Sequence, residues 1–536
     1  MSEWQHPGAA ELAGRRIAVV GLGKSGRACA RALTELTEAR VSVWDADITK
    51  LGAVTALPVD TGGSDPTPAE LARKVLAWRP DVIIPAPAIP EIGPLFTTAA
   101  DHGIELWSEI ELAWRLRTHD GAGHAAPWLA VTGTNGKTTT VTMAAHILRA
   151  AHLGAEPIGN VGNPAVTAVS ATGPDAPRAF ALELSSFQLR TTHTMEPAAS
   201  ICLNIADDHL EWHGNRAAYA AAKARIYEHV RTAAVYPVGD STVQSMVDSA
   251  DVREGARAIG ITTGIPAVGQ IGIVDGLIVD RAYGKQRWTS AVEIASLNDV
   301  AQLAPTTAAL PRHLIWDALA AVALTRAIDI PAEVVRAGLQ HMRPGHHRIE
   351  TVSERAGVRY VDDSKATNAH AALASVSALA EGTCVWIVGG QPKGARFESL
   401  VAQVRDRLRA VVVIGVNQEP WHAALDGANL PVTYIDPAAS EPMARAVLAA
   451  SRYAQTGDTV MLAPASASMD QFTSYADRGD CFAAAVRALP APSEGSAVTG
   501  DGAPATGSTS AGDGAPTEET VQDNGAADSA TEARHA

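Results

Sequence analysis

Short apolar runs alternate with longer amphipathic stretches along most of the chain. Arg16-Ile-Ala-Val-Val20 predicts a buried strand, and the turn Gly21-Leu-Gly23-Lys-Ser25-Gly26 leads from it into a helix-compatible stretch. Val41–Trp44 predicts a second strand, ending at Asp45. Asp81–Ile84 predicts another, after a helical stretch near Glu70–Ala77. The rhythm restarts at Trp128–Thr132, which runs through a glycine-bearing turn into a helix reaching about Ala151. It starts a third time after Met342-Arg-Pro-Gly345, with a strand at Tyr360-Val361, a helix after Asn368, and strands at Cys384–Val388 and Val411–Ile414. Strand–helix–strand repetition predicts parallel sheets with helices on their faces. The chain therefore reads as α/β in three blocks, 12–120, 127–345 and 346–490, the first two parted by a Gly/Ala/His-rich linker, Asp120–Ala126. From residue 491 onward the pattern stops. Small and polar residues, eight acidic side chains and one basic one, and no Phe, Trp or Tyr cannot bury enough surface to offset ordering, so 491–536 is expected to be a disordered acidic tail.

Charge narrows the picture further. A formal net charge of −15 argues against broad binding to nucleic acid or to an anionic membrane. The four cysteines, Cys29, Cys202, Cys384 and Cys481, form no CxxC pair, so neither a disulfide framework nor a cysteine zinc site is indicated. The first residues carry no apolar signal segment, and no run is long enough to predict a transmembrane helix. A cytoplasmic setting fits best.

The strongest chemical signal is Gly133-Thr134-Asn135-Gly136-Lys137-Thr138-Thr139 between a strand and a helix. Backbone amides and the helix N-terminus make such a turn an anion cradle, with Lys137 placed for the β/γ-phosphates and the Thr138 hydroxyl for Mg²⁺. The usual first glycine of a phosphate loop is Val131 here, so this is a shortened variant; the bland reading is an ordinary strand-to-helix turn. Gly21, Gly23 and Gly26, with Asp45 ending the next strand, fit a Rossmann-like nucleotide site, or else a glycine turn that only packs helix on sheet. Glu183 ends an apolar strand and is placed to face a metal, though a surface glutamate there would be unremarked. His209 and His213 are four apart but lack the zinc-protease pattern. Arg348 and the Asp362-Asp363-Ser364-Lys365-Ala366-Thr367-Asn368 segment are dense in anion-binding groups, with a capped helix start and a solvated charge run as the alternative. On local motifs alone, a nicotinamide-dependent oxidoreductase and a P-loop regulator without ligase activity stay open.

Taken in order, GTNGKTT, LELSSFQL, NIADDHLEWH, Lys223, GHHR, DDSKATN and the late PASASMDQF resemble the Mur ligase family over about residues 14–490, and LELSSFQL, DDSKATN and PASASMDQF point to its D-glutamate-adding branch. No DNPR-like motif of the branch that adds the third peptide residue is present. The resemblance implies a monomeric, cytoplasmic three-domain enzyme. The domains would be a Rossmann-like UDP-binding domain, a P-loop ATPase-like central domain and a Rossmann-like C-terminal ligase domain. It implies ATP as substrate, two Mg²⁺ ions, and ligation of D-glutamate to UDP-N-acetylmuramoyl-L-alanine through an acyl phosphate. By the same resemblance, 133–139, Arg348 and Asp363 contact ATP. Gly21, Gly23, Ser25, Gly26, Asp45 and Asn160 meet the UDP-substrate. Thr138, Glu183, His209 and a carbamylated Lys223 hold metal. Thr367, Lys393, Ser468 and Tyr475 surround D-glutamate, while Lys137, Glu183, His209, Lys223, Arg348 and Lys365 are the catalytic set. The chain departs from the family pattern at Ala86-Pro87-Ala88, at Leu314 and Asp317, where amides are usual, and at Gln391, where an acid is frequent. Nucleotide contacts at 314 and 317 are therefore expected to differ.

Overall fold

A computed structural model describes residues 4–154, 156–173, 175–303, 310–342 and 346–490. The expected tail from 491 onward and the Pro344-Gly345 junction lie outside the described residues. Three sheets follow one another along the chain. The first holds β1 (Arg16–Val20), β2 (Arg40–Asp45), β3 (Thr61–Ser64), β4 (Val82–Pro85) and β5 (Glu105–Leu106), all parallel, in the order β3-β2-β1-β4-β5. This is the doubly wound arrangement that its apolar runs predict, with the glycine turn at the carboxyl end of central β1.

The second sheet has nine strands: β6 (Trp128–Thr132), β7 (Pro157–Gly159), β8 (Phe180–Glu183), β9 (Ala199–Cys202), β10 (Ala233–Pro237), β11 (Arg257–Ile261), β12 (Gln270–Val274), β13 (Leu277–Asp280) and β14 (Val292–Ser296). Their order is β14-β13-β12-β11-β10-β9-β6-β8-β7, parallel from β7 to β12 and antiparallel across β12-β13-β14. All five residues of β6 are buried between its neighbours β8 and β9. The loops leaving β6, β8 and β9 therefore emerge side by side at one sheet edge, which sets the site.

The third sheet holds β15 (Glu350–Arg355), β16 (Val358–Asp362), β17 (Cys384–Gly389), β18 (Leu408–Ile414), β19 (Val432–Tyr434) and β20 (Thr459–Leu462), ordered β15-β16-β20-β17-β18-β19, with β15 alone antiparallel. One hydrophobic cluster joins the first two sheets, running from Ile17 and Val19 through Trp114 to Trp128, Leu182 and Tyr227. Trp114 meets Trp128 edge to face at 5.0 Å, a favoured aromatic geometry. The Asp120–Ala126 stretch beside it is a tight turn, closed by the Ala122 and His124 amides donating to the Asp120 carboxylate. Among the described residues, no helix is long and apolar enough to cross a membrane.

Candidate active site

The turn after β6 depends on glycine at two positions. Gly133 (φ 143°) and Gly136 (φ 84°) take conformations that side chains disfavour, and Gly136 opens the helix Lys137–Ala150. The position a Cβ would occupy on Gly136 lies 2.4 Å from Asp317 Oδ1. Gly136→Ala should therefore lose both ways: about 2 kcal/mol of stability for the strained backbone, and ADP affinity as the loop shifts. Thermal melts together with ADP titration check this; an unchanged variant would mean the loop is softer than its geometry. Lys137 folds back and donates to the carbonyls of Gly133 and Thr134, both at 2.9 Å. Asn135 is clamped by Asn204 through two hydrogen bonds, amide to Oδ1 at 2.9 Å and Nδ2 to carbonyl at 3.2 Å.

Glu183, at the end of β8, joins two segments. The Thr138 hydroxyl donates to its Oε2, and Asn160 Nδ2 donates to its Oε1 at 2.8 Å. Lys223 approaches the same loop from the helix Arg216–Ala224. It is 2% exposed and donates to Gly133 O at 2.9 Å and Thr132 Oγ1 at 3.2 Å. Burial, and then the charge of Lys137, push its ammonium down to about 7, so a large neutral fraction exists at physiological pH. Its neighbour Tyr219 places its ring 4.9 Å below Lys223 Nζ and its hydroxyl 3.0 Å from Thr134 Oγ1. His209 lies against the Phe187 ring at 4.7 Å. Burial holds its imidazole below the usual range despite Asp208 and Glu211, which favours the neutral ring.

Oxygen donors suit Mg²⁺, and Thr138 and Glu183 supply a hydroxyl and a carboxylate in contact with each other. These two residues fit a metal held against nucleotide phosphates. A different trio, His347, Glu350 and Asp362, also gathers metal-capable atoms. Its members already satisfy one another: His347 Nδ1 and Asp362 Oδ2 are 2.7 Å apart, and the His347 amide donates to Glu350 at 3.0 Å.

The third sheet brings the DDSKATN segment to the phosphate loop. Asn368 Nδ2 reaches Asn135 Oδ1 at 3.4 Å, and Lys365 Nζ sits 3.9 Å over the Tyr475 ring. Burial, then Arg348 and Lys137, lower the Lys365 ammonium to about 8, while Glu183 opposes the shift. Asp363 is buried, accepts from the Ser375 hydroxyl, and is pushed up to about 7 by burial against the opposing charge of Arg348. Ser468 is buried in the loop after β20; Lys393 is exposed, with φ 49°. The Thr367 amide donates to Lys365 O at 2.8 Å, which tightens the loop.

In the first sheet, Asp45 is 3% exposed and already engaged. Its carboxylate accepts from the Leu22 amide at 2.5 Å and the Asp47 amide at 2.9 Å, with Lys50 at 3.3 Å. Burial pushes this carboxyl up, but those amides and Lys50 hold it below the ordinary range. Asp45 thus braces the glycine turn. On that turn Lys24 Nζ reaches Gly162 O at 2.5 Å, close to Asn160, so the first and second sheets face each other across these loops.

Four contributors were not read from the sequence: Asn204, Tyr219, the seat of Asp317, and Arg478. Tyr219 lies four residues before Lys223, one turn along the same helix face, and that spacing was an available signal. Arg478 is fully buried. It donates to Ser364 Oγ and Ser364 O, both at 2.9 Å, to Ser466 O at 3.0 Å and to Gly389 O at 3.4 Å. Nothing local announces it.

Comparison with known proteins decides the family. Residues 131–324 match the Mur ligase middle domain, and residues 347–466 match the Mur ligase, glutamate ligase domain. The UDP-N-acetylmuramoylalanine--D-glutamate ligase of Streptomyces avermitilis is 45% identical over 503 residues, spanning 92% of this chain and 100% of that protein. The chain belongs to the Mur ligase family. The Streptomyces coelicolor enzyme of the same name is 44% identical over 493 residues, covering 90% of this Mur ligase and 99% of its own length. The MurF ligase of Thermotoga maritima, solved in complex with ADP, shares the fold at a TM-score of 0.50 and 15% identity, over 89% of this chain and 96% of that one. ATP-dependent ligation of peptidoglycan precursors is the chemistry of this family.

Proposed function

We propose that this Mur ligase joins D-glutamate to UDP-N-acetylmuramoyl-L-alanine in an ATP-dependent reaction. An L-alanine carboxylate oxygen takes the γ-phosphoryl group and ADP departs. The amine of D-glutamate then attacks the acyl carbon, and phosphate leaves as the C–N bond forms. The observation that carries this reading is the meeting of three loops. Thr138 of the phosphate loop and Asn160 share the Glu183 carboxylate, while Lys365 lies close enough to feel Glu183 and Lys137.

Each part of the site then has a task. Residues 12–120 bind the UDP portion through Gly21, Gly23, Ser25 and Gly26, with Asp45 shaping the turn and Asn160 contacting the sugar side. Residues 127–345 carry the ATP site, 133–139, and residues 346–490 supply Arg348 and Asp363 to ATP. Thr367, Lys393, Ser468 and Tyr475 surround D-glutamate. Lys137 leaves its own loop carbonyls for the β/γ-phosphates. Arg348 and Lys365 balance the charge that develops as the phosphoryl group moves between two anions. Mg²⁺, two ions in this reading, would sit on Thr138, Glu183, His209 and Lys223 and neutralise phosphate charge. A carbamate on Lys223 makes that last ligand possible: the neutral amine adds to CO₂ and releases one proton, replacing a cation with a carboxylate. The depressed pKa supports this, because only the unprotonated amine reacts.

The test is phosphate release. Phosphate should appear only when ATP, UDP-N-acetylmuramoyl-L-alanine and D-glutamate are all present. Turnover with L-lysine or diaminopimelate in place of D-glutamate would move the assignment to a sister ligase.

A further inference from the structure

Asp317 sits on the first turns of the helix Arg312–Arg326, directly against the phosphate loop. Its Oδ1 fills the space where Gly136 lacks a Cβ and accepts from Thr140 Oγ1 at 3.2 Å, one turn into the helix that the loop opens. The side chain is buried, with 4% exposure, and Oδ2 has no hydrogen-bond partner. Of the groups around it, Thr140 is uncharged, and His313, four residues earlier on its own helix, is held neutral by burial down to about pH 4. Arg348 is the cation whose charge acts on it. An ionised carboxylate in this position would stand unsolvated beside a loop whose task is to hold a polyanion.

We propose that Asp317 is a positioning residue for the phosphate loop that works as a neutral acid, propping Gly136 and anchoring Thr140 without opposing the nucleotide's charge. Burial pushes its carboxyl up to about 8, which keeps it protonated at neutral pH. Ionisation above that value sets a negative charge under the loop. Bound nucleotide disfavours that ionisation, so binding at alkaline pH takes up a proton.

This inference rests on reading residues 133–139 as the ATP loop, and one experiment separates the two. ADP binding to the full chain is measured by titration calorimetry in metal-free buffers from pH 7 to 9.5. Buffers of differing ionisation enthalpy are used to count protons. The expected result is about a tenfold loss of affinity per pH unit above 8, with proton uptake on binding. Asp317→Asn should flatten its share of that decline and abolish its proton uptake. Thr140→Val, which removes the donor favouring the ionised form, should move the decline to higher pH and does not depend on the asparagine variant folding. A decline that neither variant alters overturns the role of Asp317. Absence of ADP binding at every pH overturns the nucleotide-site reading itself.

Discussion

Exchanging Lys223 for alanine should lower kcat by about a hundredfold to a thousandfold, the scale of losing one preorganised electrostatic group. Acetate or formate should restore part of the lost rate. The side chain is fully enclosed, so alanine leaves a space beside Gly133 and Thr132 into which a small carboxylate can enter. Restoration separates the carbamate from a structural lysine, because a free acid cannot replace an ammonium that merely props the loop. The pH dependence follows from the amine. With a pKa near 7, the reactive neutral form grows as pH rises through that value, so at equal dissolved CO₂ the CO₂-depleted enzyme should reactivate faster at pH 8 than at pH 6. Reactivation that slows with rising pH, or an alanine variant deaf to carboxylates, would remove the carbamate from the mechanism.

The second large effect is at Glu183. Glu183→Gln keeps the shape and can still accept from Thr138, but it offers no negative charge and presents one amide nitrogen that cannot accept from Asn160. The Mg²⁺ concentration giving half-maximal rate should rise about ten- to a hundredfold, with kcat falling even at saturating metal. The KM for D-glutamate should stay within about twofold. Magnesium titrations at fixed substrate check this, and an unshifted midpoint would assign Glu183 to holding Asn160 alone.

The parallel strands were legible because strands covered on both faces read as unbroken apolar runs. Arg16–Val20 and Trp128–Thr132 match residue for residue, and Cys384–Val388 falls one residue short. The outer half of the middle sheet was not read. There β12 and β13 pair antiparallel through Val274 and Leu277, and the two residues between them, Asp275 and Gly276, both have positive φ. An Asp-Gly pair flanked by apolar residues is a hairpin signal, but it sits where the rhythm of the chain suggested only more strand and helix. In the candidate site, Glu183 was singled out by its place at a strand end, and Lys137 and Thr138 by the glycine turn that follows Thr132. Asn204, Asp317 and Arg478 were not, since each acts on a loop more than sixty residues away, and no local spacing encodes a long-range neighbour. Asp45 was legible in part. Its position at a strand end suggested a nucleotide site, and its carboxylate also accepts from the Leu22 amide, a bond to its own glycine turn that the spacing did not announce.

Arg478 holds Ser364, Gly389 and Ser466 with one guanidinium, so the loops carrying Lys365, Lys393 and Ser468 share a single keystone. A change that shifts one of these loops is transmitted to the other two, so the proposed amino-acid pocket moves as a unit. Laboratory evolution toward a different amino-acid substrate should therefore leave that buried junction untouched. Its accepted changes should collect at outward-facing positions such as Gln391 and Lys393, where a new side chain alters recognition without disturbing the frame.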